Sequence, residues 1–136
     1  MKTYFEELSL STSKRIELVN ITEQVEEVVE KSGVKNGICL LYAPHATAAM
    51  VVNEDESGLK QDIVKWLEQT FPRNGAWKHN LIDDNASAHL ASTFISPHKV
   101  LPIKDGRLFR GTWQSIFLVE MDGPRRRRVL IEVLGE

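Results

Sequence analysis

Apolar positions recur at helical spacing in three stretches of the chain. In the first, Val25, Val28 and Val29 follow Thr22, read as an N-cap, and Gly33 marks the stop, which predicts about three turns of helix. Its outer face (Glu23, Glu26, Glu27, Glu30) reads as solvated surface. In the second, Leu59, Ile63, Trp66, Leu67 and Phe71 form one stripe closed by Pro72, and Trp66 counts as a core residue there. The third runs from Asn85, placed as the cap, to about residue 94 and stops before Pro97. The remaining apolar segments predict strands. Residues 3–10 and 15–21 are joined by Ser11-Thr12-Ser13; 37–42, apolar on both faces, reads as a central strand; 47–53 and 100–103 follow. Asp105-Gly106 predicts a hairpin turn into the longest strand, 108–121, and 127–134 is expected to pair back onto it after Asp122-Gly123-Pro124. Strand-rich ends with three helical insertions predict a single α+β domain over 1–136, with mostly antiparallel sheets in a sandwich-like core. The last strand carries Val129, Ile131 and Val133 on one face and Leu130 and Leu134 on the other, so helices or another subunit must cover both faces.

Charge narrows the function classes. With 17 basic and 19 acidic residues the formal net charge is −2, which gives no bulk field for nucleic acid or an anionic membrane. The one basic run, Arg125 to Arg128, has no aromatic residues interleaved with it, so nucleic-acid binding is not expected. The single cysteine, Cys39, lies in an apolar run; it rules out an internal disulfide or a cysteine zinc cluster and is expected to be buried and inert. No segment approaches the roughly 20 apolar residues that span a bilayer, so a soluble, cytoplasmic protein is expected.

Candidate chemistry concentrates between residues 79 and 114. His79 sits within a long polar connection, 73–84, containing Asn74-Gly75, and long loops inside compact domains are often functional. If Asn85 caps the following helix, His89 lies one turn in, with Ala86 and Ala88 leaving room beside it. The plain alternative is a solvated loop His79 and a hydrogen-bonded helical His89. Gln114 and Glu120 share strand parity, yet six residues of strand hold them about 20 Å apart. One chain therefore carries either two sites or part of a site shared across a subunit boundary. Arg107, Arg110 and Arg125 to Arg128 are candidates for anion recognition through guanidinium forks.

Read together, His45-Ala46-Thr47-Ala48, Asn53-Glu54, Asp62, His79-Asn80, Ala88-His89-Leu90, Pro102-Ile103-Lys104-Asp105-Gly106 and Gly111-Thr112-Trp113-Gln114 form an ordered set. With them the chain resembles, over essentially its whole length, the YjbQ-like family, often labelled secondary thiamine-phosphate synthases. The resemblance implies a small α+β homotrimer, a divalent metal (zinc, with magnesium as the alternative) among His45, His79 and His89, and a weak thiamine-phosphate synthase activity on a small phosphorylated molecule. Asn80, Asp84 and Asn85 are then expected to support the imidazoles. Thr47, Asn53, Arg107 and Arg127 are expected to bind phosphate. Glu54 is a candidate general base with Asp62 orienting it, and Gln114 joins them as a catalytic candidate; alternatively Glu54 and Asp62 only favour the start of the next helix through its dipole. A metal-dependent hydrolase and a non-catalytic metal- or anion-binding module remain the competing readings. Two stretches depart from the family pattern: Ile95-Ser96-Pro97-His98, and Arg110 where an apolar residue commonly precedes the glycine.

Overall fold

The computed structural model describes residues 1–136. Its first strand, β1 (Lys2–Ser11), alternates half-buried Tyr4, Leu8 and Leu10 with exposed residues, as a strand with one face on a core must. It pairs antiparallel along its length with β8 (Arg126–Gly135), Lys2 opposite Gly135 and Ser11 opposite Arg126. The sheet continues through β3 (Gly37–Tyr42) and β5 (His98–Lys104) to the two-residue β6 (Arg107–Leu108), giving the order β1-β8-β3-β5-β6. A second sheet has β7 (Ser115–Glu120) between β2 (Glu17–Asn20) and β4 (Ala48–Asn53). All pairings are antiparallel. The α+β class and the three helices, α1 (Thr22–Ser32), α2 (Ser57–Thr70) and α3 (Ala86–Ile95), agree with the sequence pattern.

The strand partners differ from the expectation. β8 does not pair back onto β7 but lies between β1 and β3, while β7 belongs to the other sheet. The chain changes sheets at 121–125, so the apolar faces of β7 and β8 pack against each other instead of lying side by side. Nor is 108–121 one strand. Residues 109–114 leave the sheet as a loop, tied by Gly111 N donating to Gln114 Oε1 (2.7 Å) and Arg110 Nη1 donating to Gln114 O (2.6 Å).

The main core lies between the sheets. Cys39, Leu41, Leu101, Ile103, Val129, Ile131 and Val133 face Ala48, Met50, Ile116 and Leu118, and α1 closes one end with Val25, Val28 and Val29. Cys39 is fully buried, and burial pushes its thiol up to about 12, so it is inert as expected. Ile21, not Thr22, is the residue before α1. Thr22 is the first helical residue; its hydroxyl accepts from Ile116 N (2.8 Å) and donates to Asn20 Oδ1 (2.6 Å), pinning α1 to β7. Gly33 ends the helix at φ +69°, a conformation only glycine adopts freely.

A second layer covers the other face of the three-stranded sheet, where Ala49, Val119 and Met121 meet Leu67 of α2 and Ala88 and Ala91 of α3. Trp66 is not a core residue: it is 44% exposed, edge-on to Phe71, and Leu67 fills the core position. The 100° turn between successive helical residues puts only one of the two inward. The outer face of the five-stranded sheet has no helix over it. Phe5, Ile38, Tyr42 and Val100 are exposed there, and Leu40, Leu130 and Leu134 are half-buried. No helix is long and apolar enough to cross a membrane.

Candidate functional site

The turn from β7 to β8 is held by a buried ion pair. Glu120 ends β7 at 0% exposure and Arg127 begins the inward face of β8 at 4%. Arg127 Nε donates to Glu120 Oε1 (2.8 Å) and its Nη2 to Glu120 Oε2, to Thr47 Oγ1 (2.8 Å) and to Thr47 O (3.2 Å). Glu120 also accepts from Thr12 Oγ1 (2.7 Å) and from the Asp122 amide (3.0 Å). Burial alone would raise the Glu120 carboxyl, but Arg127, the Thr12 hydroxyl and the Asp122 amide outweigh it and hold the group below the usual carboxylate range. Thr12 Oγ1 accepts from Arg125 N (2.9 Å) as well, so one buried knot fixes the backbone at both 122 and 125.

From that knot a polar chain runs to the surface. Arg125 donates to Asp122 through Nη2 (2.8 Å to Oδ2) and Nε (2.7 Å to the carbonyl). Asp122 Oδ2 also accepts from Asn85 Nδ2 (2.9 Å), which turns Asn85 Oδ1 toward His79 Nε2 (3.1 Å). That orientation makes Nε2 the donor and leaves the lone pair of a neutral His79 on Nδ1. The His89 ring stands edge-on to His79, centroids 4.6 Å apart, because α3 carries it one turn beyond Asn85. The half-buried His45 lies on the other side of the knot. Its Nε2 accepts from Arg128 N (3.1 Å), and burial, then the Arg127 charge, lower its pKa.

These contacts sort the sequence candidates. His79, His89 and Asn85 come together. His45 does not join them as a ligand set: no three His, Cys, Asp or Glu side chains of the chain converge closely enough to hold a metal ion. The accepting nitrogen of His45 is already given to a backbone amide, and its neighbours Arg127 and Arg128 are cationic, so three-histidine ligation does not fit one chain as it stands. Arg127 and Thr47, expected to bind phosphate, are both buried: Arg127 is spent on Glu120 and Thr47, and the Thr47 hydroxyl accepts from Arg127, so neither is offered to a phosphate in one chain. Asn85 sits at the helix start without capping it. Asn80 does that instead, accepting from Ala86 N (3.1 Å) while its amide holds Arg73 O (3.2 Å), which leaves Asn85 free for His79. Asp84 is exposed and pairs with Arg73 (3.0 Å) rather than with an imidazole.

The carboxylate candidates lie elsewhere. Glu54 follows β4 and His45 precedes it, so about six strand residues, roughly 20 Å, separate them. Asn53 Oδ1 accepts from the Glu54 amide (2.8 Å), and Asp62 faces solvent on α2. The helix-start role considered for Glu54 and Asp62 belongs to Glu56, whose carboxylate accepts from the Gly58 and Leu59 amides. Gln114 is in the loop before β7, at the opposite end of that strand from Glu120, and Arg107 is exposed on β6. Sequence reasoning missed Asp122 and Thr12 as site-forming residues and weighed Glu120 only against Gln114, not against Arg127. The available signal was an acid closing the apolar run Ile116 to Val119, a few residues before an arginine run.

An imidazole pair tied through an asparagine to a carboxylate and a guanidinium, at the seam of two stacked antiparallel sheets, defines a small α+β protein with one polar, partly exposed site. The family model described as UPF0047 protein YjbQ-like matches residues 6–136, and the chain belongs to this family. A UPF0047 protein of Methanothermobacter thermautotrophicus is 44% identical over 136 residues, covering 100% of this chain and 95% of the relative. YugU of Bacillus subtilis, also a UPF0047 protein, is 34% identical over 132 residues, covering 94% and 97%. A solved structure from Sulfolobus solfataricus, described as YbjQ-like and of unknown function, superposes with a TM-score of 0.98 at 54% identity, covering 99% of each chain. A hypothetical protein from Aeropyrum pernix gives 0.95 at 45% identity, covering 100% of each.

Proposed function

We propose that this protein is a homotrimeric enzyme that transfers or releases groups on small phosphorylated molecules, with a weak thiamine-phosphate synthase activity. The observation that carries the reading is the His79–Asn85–Asp122–Arg125 chain with His89 against its end. Joining a pyrimidine diphosphate to a thiazole phosphate needs departure of diphosphate and capture of the electrophile by the thiazole nitrogen. Positioned donors and cations favour the charge that builds on the departing oxygens. Arg125, exposed and held by Asp122, offers a guanidinium for such oxygens. His79 and His89 offer two imidazoles to donate or accept a proton, one with its orientation fixed by Asn85. Turnover is expected to be slow, because no acidic magnesium-diphosphate motif accompanies these groups. The uncovered apolar face of the five-stranded sheet supports the trimer, since a patch of that kind marks an interaction surface.

A second reading, a module or hydrolase that binds a divalent metal such as zinc, is favoured by the adjacency of His79 and His89, two of the three imidazoles such a centre uses. It needs a third ligand that one chain does not place there.

Overexpression in a bacterium lacking its own thiamine-phosphate synthase should permit slow growth without thiamine, and His79→Ala should abolish it. Equal rescue by both proteins, or by neither, would remove the transferase reading. Elemental analysis of wild type beside His89→Ala decides the second: about one divalent metal per chain, lost in the variant, supports it.

A further inference from the structure

A cleft of about 350 Å³ opens away from the histidines, where the 109–114 loop leans over β5. Its lining combines apolar side chains, Val52 and Phe109 among them, with Lys99, Arg110 and Gln114; no acidic side chain lines it. Each of the three polar groups is short of a partner. Lys99 Nζ donates only to two backbone carbonyls, Ile95 O (3.3 Å) and His98 O (3.2 Å), and forms no ion pair. Arg110 spends Nη1 on Gln114 O, reaches Glu26 only at 3.5 Å, and leaves its buried Nε–H with no acceptor. Gln114 has given its carbonyl oxygen to the Gly111 amide, so its NH₂ is the part left to bind.

We infer that this cleft is a binding site for a small organic oxyanion, a carboxylate or phosphate monoester on a compact apolar body, taken up between Lys99, Arg110 and Gln114. The residues offer donors and two positive charges, and the one carboxylate near them, Glu26, reaches Arg110 only at 3.5 Å and does not line the cleft. A buried polar group without a partner marks a place where a water or ion completes the structure. Guanidinium and ammonium together favour an oxyanion over water, because charge-assisted hydrogen bonds are about twice as strong as neutral ones. The apolar lining selects an anion with a hydrocarbon portion over a bare inorganic one, and the volume is enough for a single substituted ring. Burial lowers the Lys99 pKa, as it must for an ammonium with no counter-charge, and an oxyanion would reverse that cost.

The test is calorimetric titration of the full-length protein with phenyl phosphate, benzoate and inorganic phosphate. Saturable binding of phenyl phosphate or benzoate is expected, at least tenfold tighter than inorganic phosphate; the tighter of the two organic anions identifies the head group. Arg110→Leu and Lys99→Met should each weaken it tenfold or more, while Arg107→Leu and His79→Ala, outside the cleft, should leave it unchanged. Arg110→Lys keeps the charge without the fork and guards against a folding defect in Arg110→Leu, with circular dichroism as the check. Unchanged affinity in both Arg110 variants overturns the inference. So does loss of binding in His79→Ala, which would move the anion to the histidines, or the absence of saturation by either organic anion.

Discussion

Arg127→Met separates the Glu120–Arg127 pair and leaves a carboxylate at 0% exposure with two donors, the Thr12 hydroxyl and the Asp122 amide, in place of four contacts. Breaking a buried pair from one side costs about 3–5 kcal/mol. The carboxyl can limit that cost by taking a proton. From an ordinary pKa of about 4.3, protonation at pH 7 costs about 3.7 kcal/mol at 1.36 kcal/mol per unit, so the deficit should sit near 3–4 kcal/mol. The pH dependence is the sharper signature. In the wild type the folded Glu120 lies below its unfolded value, so its contribution is present above the ordinary carboxyl range and lost as pH falls through the folded value. In the variant, burial without Arg127 raises the folded value instead, so the protein gains relative stability as pH falls from 7 toward the carboxyl range. Between pH 7 and pH 5 the deficit should shrink by up to about 2.7 kcal/mol, two units at 1.36 each, the full amount when the variant carboxyl is protonated across that range. Urea unfolding of both proteins at the two pH values, at one fixed protein concentration because any association would contribute to stability, measures this. A deficit below about 1 kcal/mol at pH 7, or one equal at both pH values, refutes the reasoning.

Three further outcomes follow from particular contacts. Leu67→Ala should cost about 2–5 kcal/mol in urea unfolding and Trp66→Ala clearly less, because only Leu67 is enclosed; the reverse order would restore Trp66 to the core. At Gly123 a Cβ would run into the Lys14 carbonyl and the Thr12 hydroxyl, so Gly123→Ala should cost about 1–3 kcal/mol; an unaltered midpoint would show that the turn adapts freely. Light scattering should report three chains for the wild type and fewer for Leu40→Glu, which places a charge in the uncovered sheet face; an unchanged mass would locate the contact elsewhere.

The helices and most strands were legible because their signals are local. Val25, Val28 and Val29 at helical spacing, Gly33 at the stop, and the alternation of Val129, Ile131 and Val133 each record which side of one element faces the core. The placing of His89 one turn beyond Asn85 was legible for the same reason. What lay outside the sequence's reach was which elements meet. Nothing local to β7 and β8 says whether two apolar strands joined by a turn pair edge to edge or pack face to face, since both arrangements bury the same side chains. Only the tertiary structure put them in different sheets, and that choice set Arg127 against Glu120 rather than against a ligand. The same choice fixed Asp122 where Asn85 reaches it and turned His45 toward Arg128. Single residues were decided the same way: Asn80 took the cap that the pattern gave to Asn85, and Leu67 the core position given to Trp66. Periodicity tells which face of an element is buried, but hydrogen-bond partners distant in sequence exist only once the chain has closed on itself.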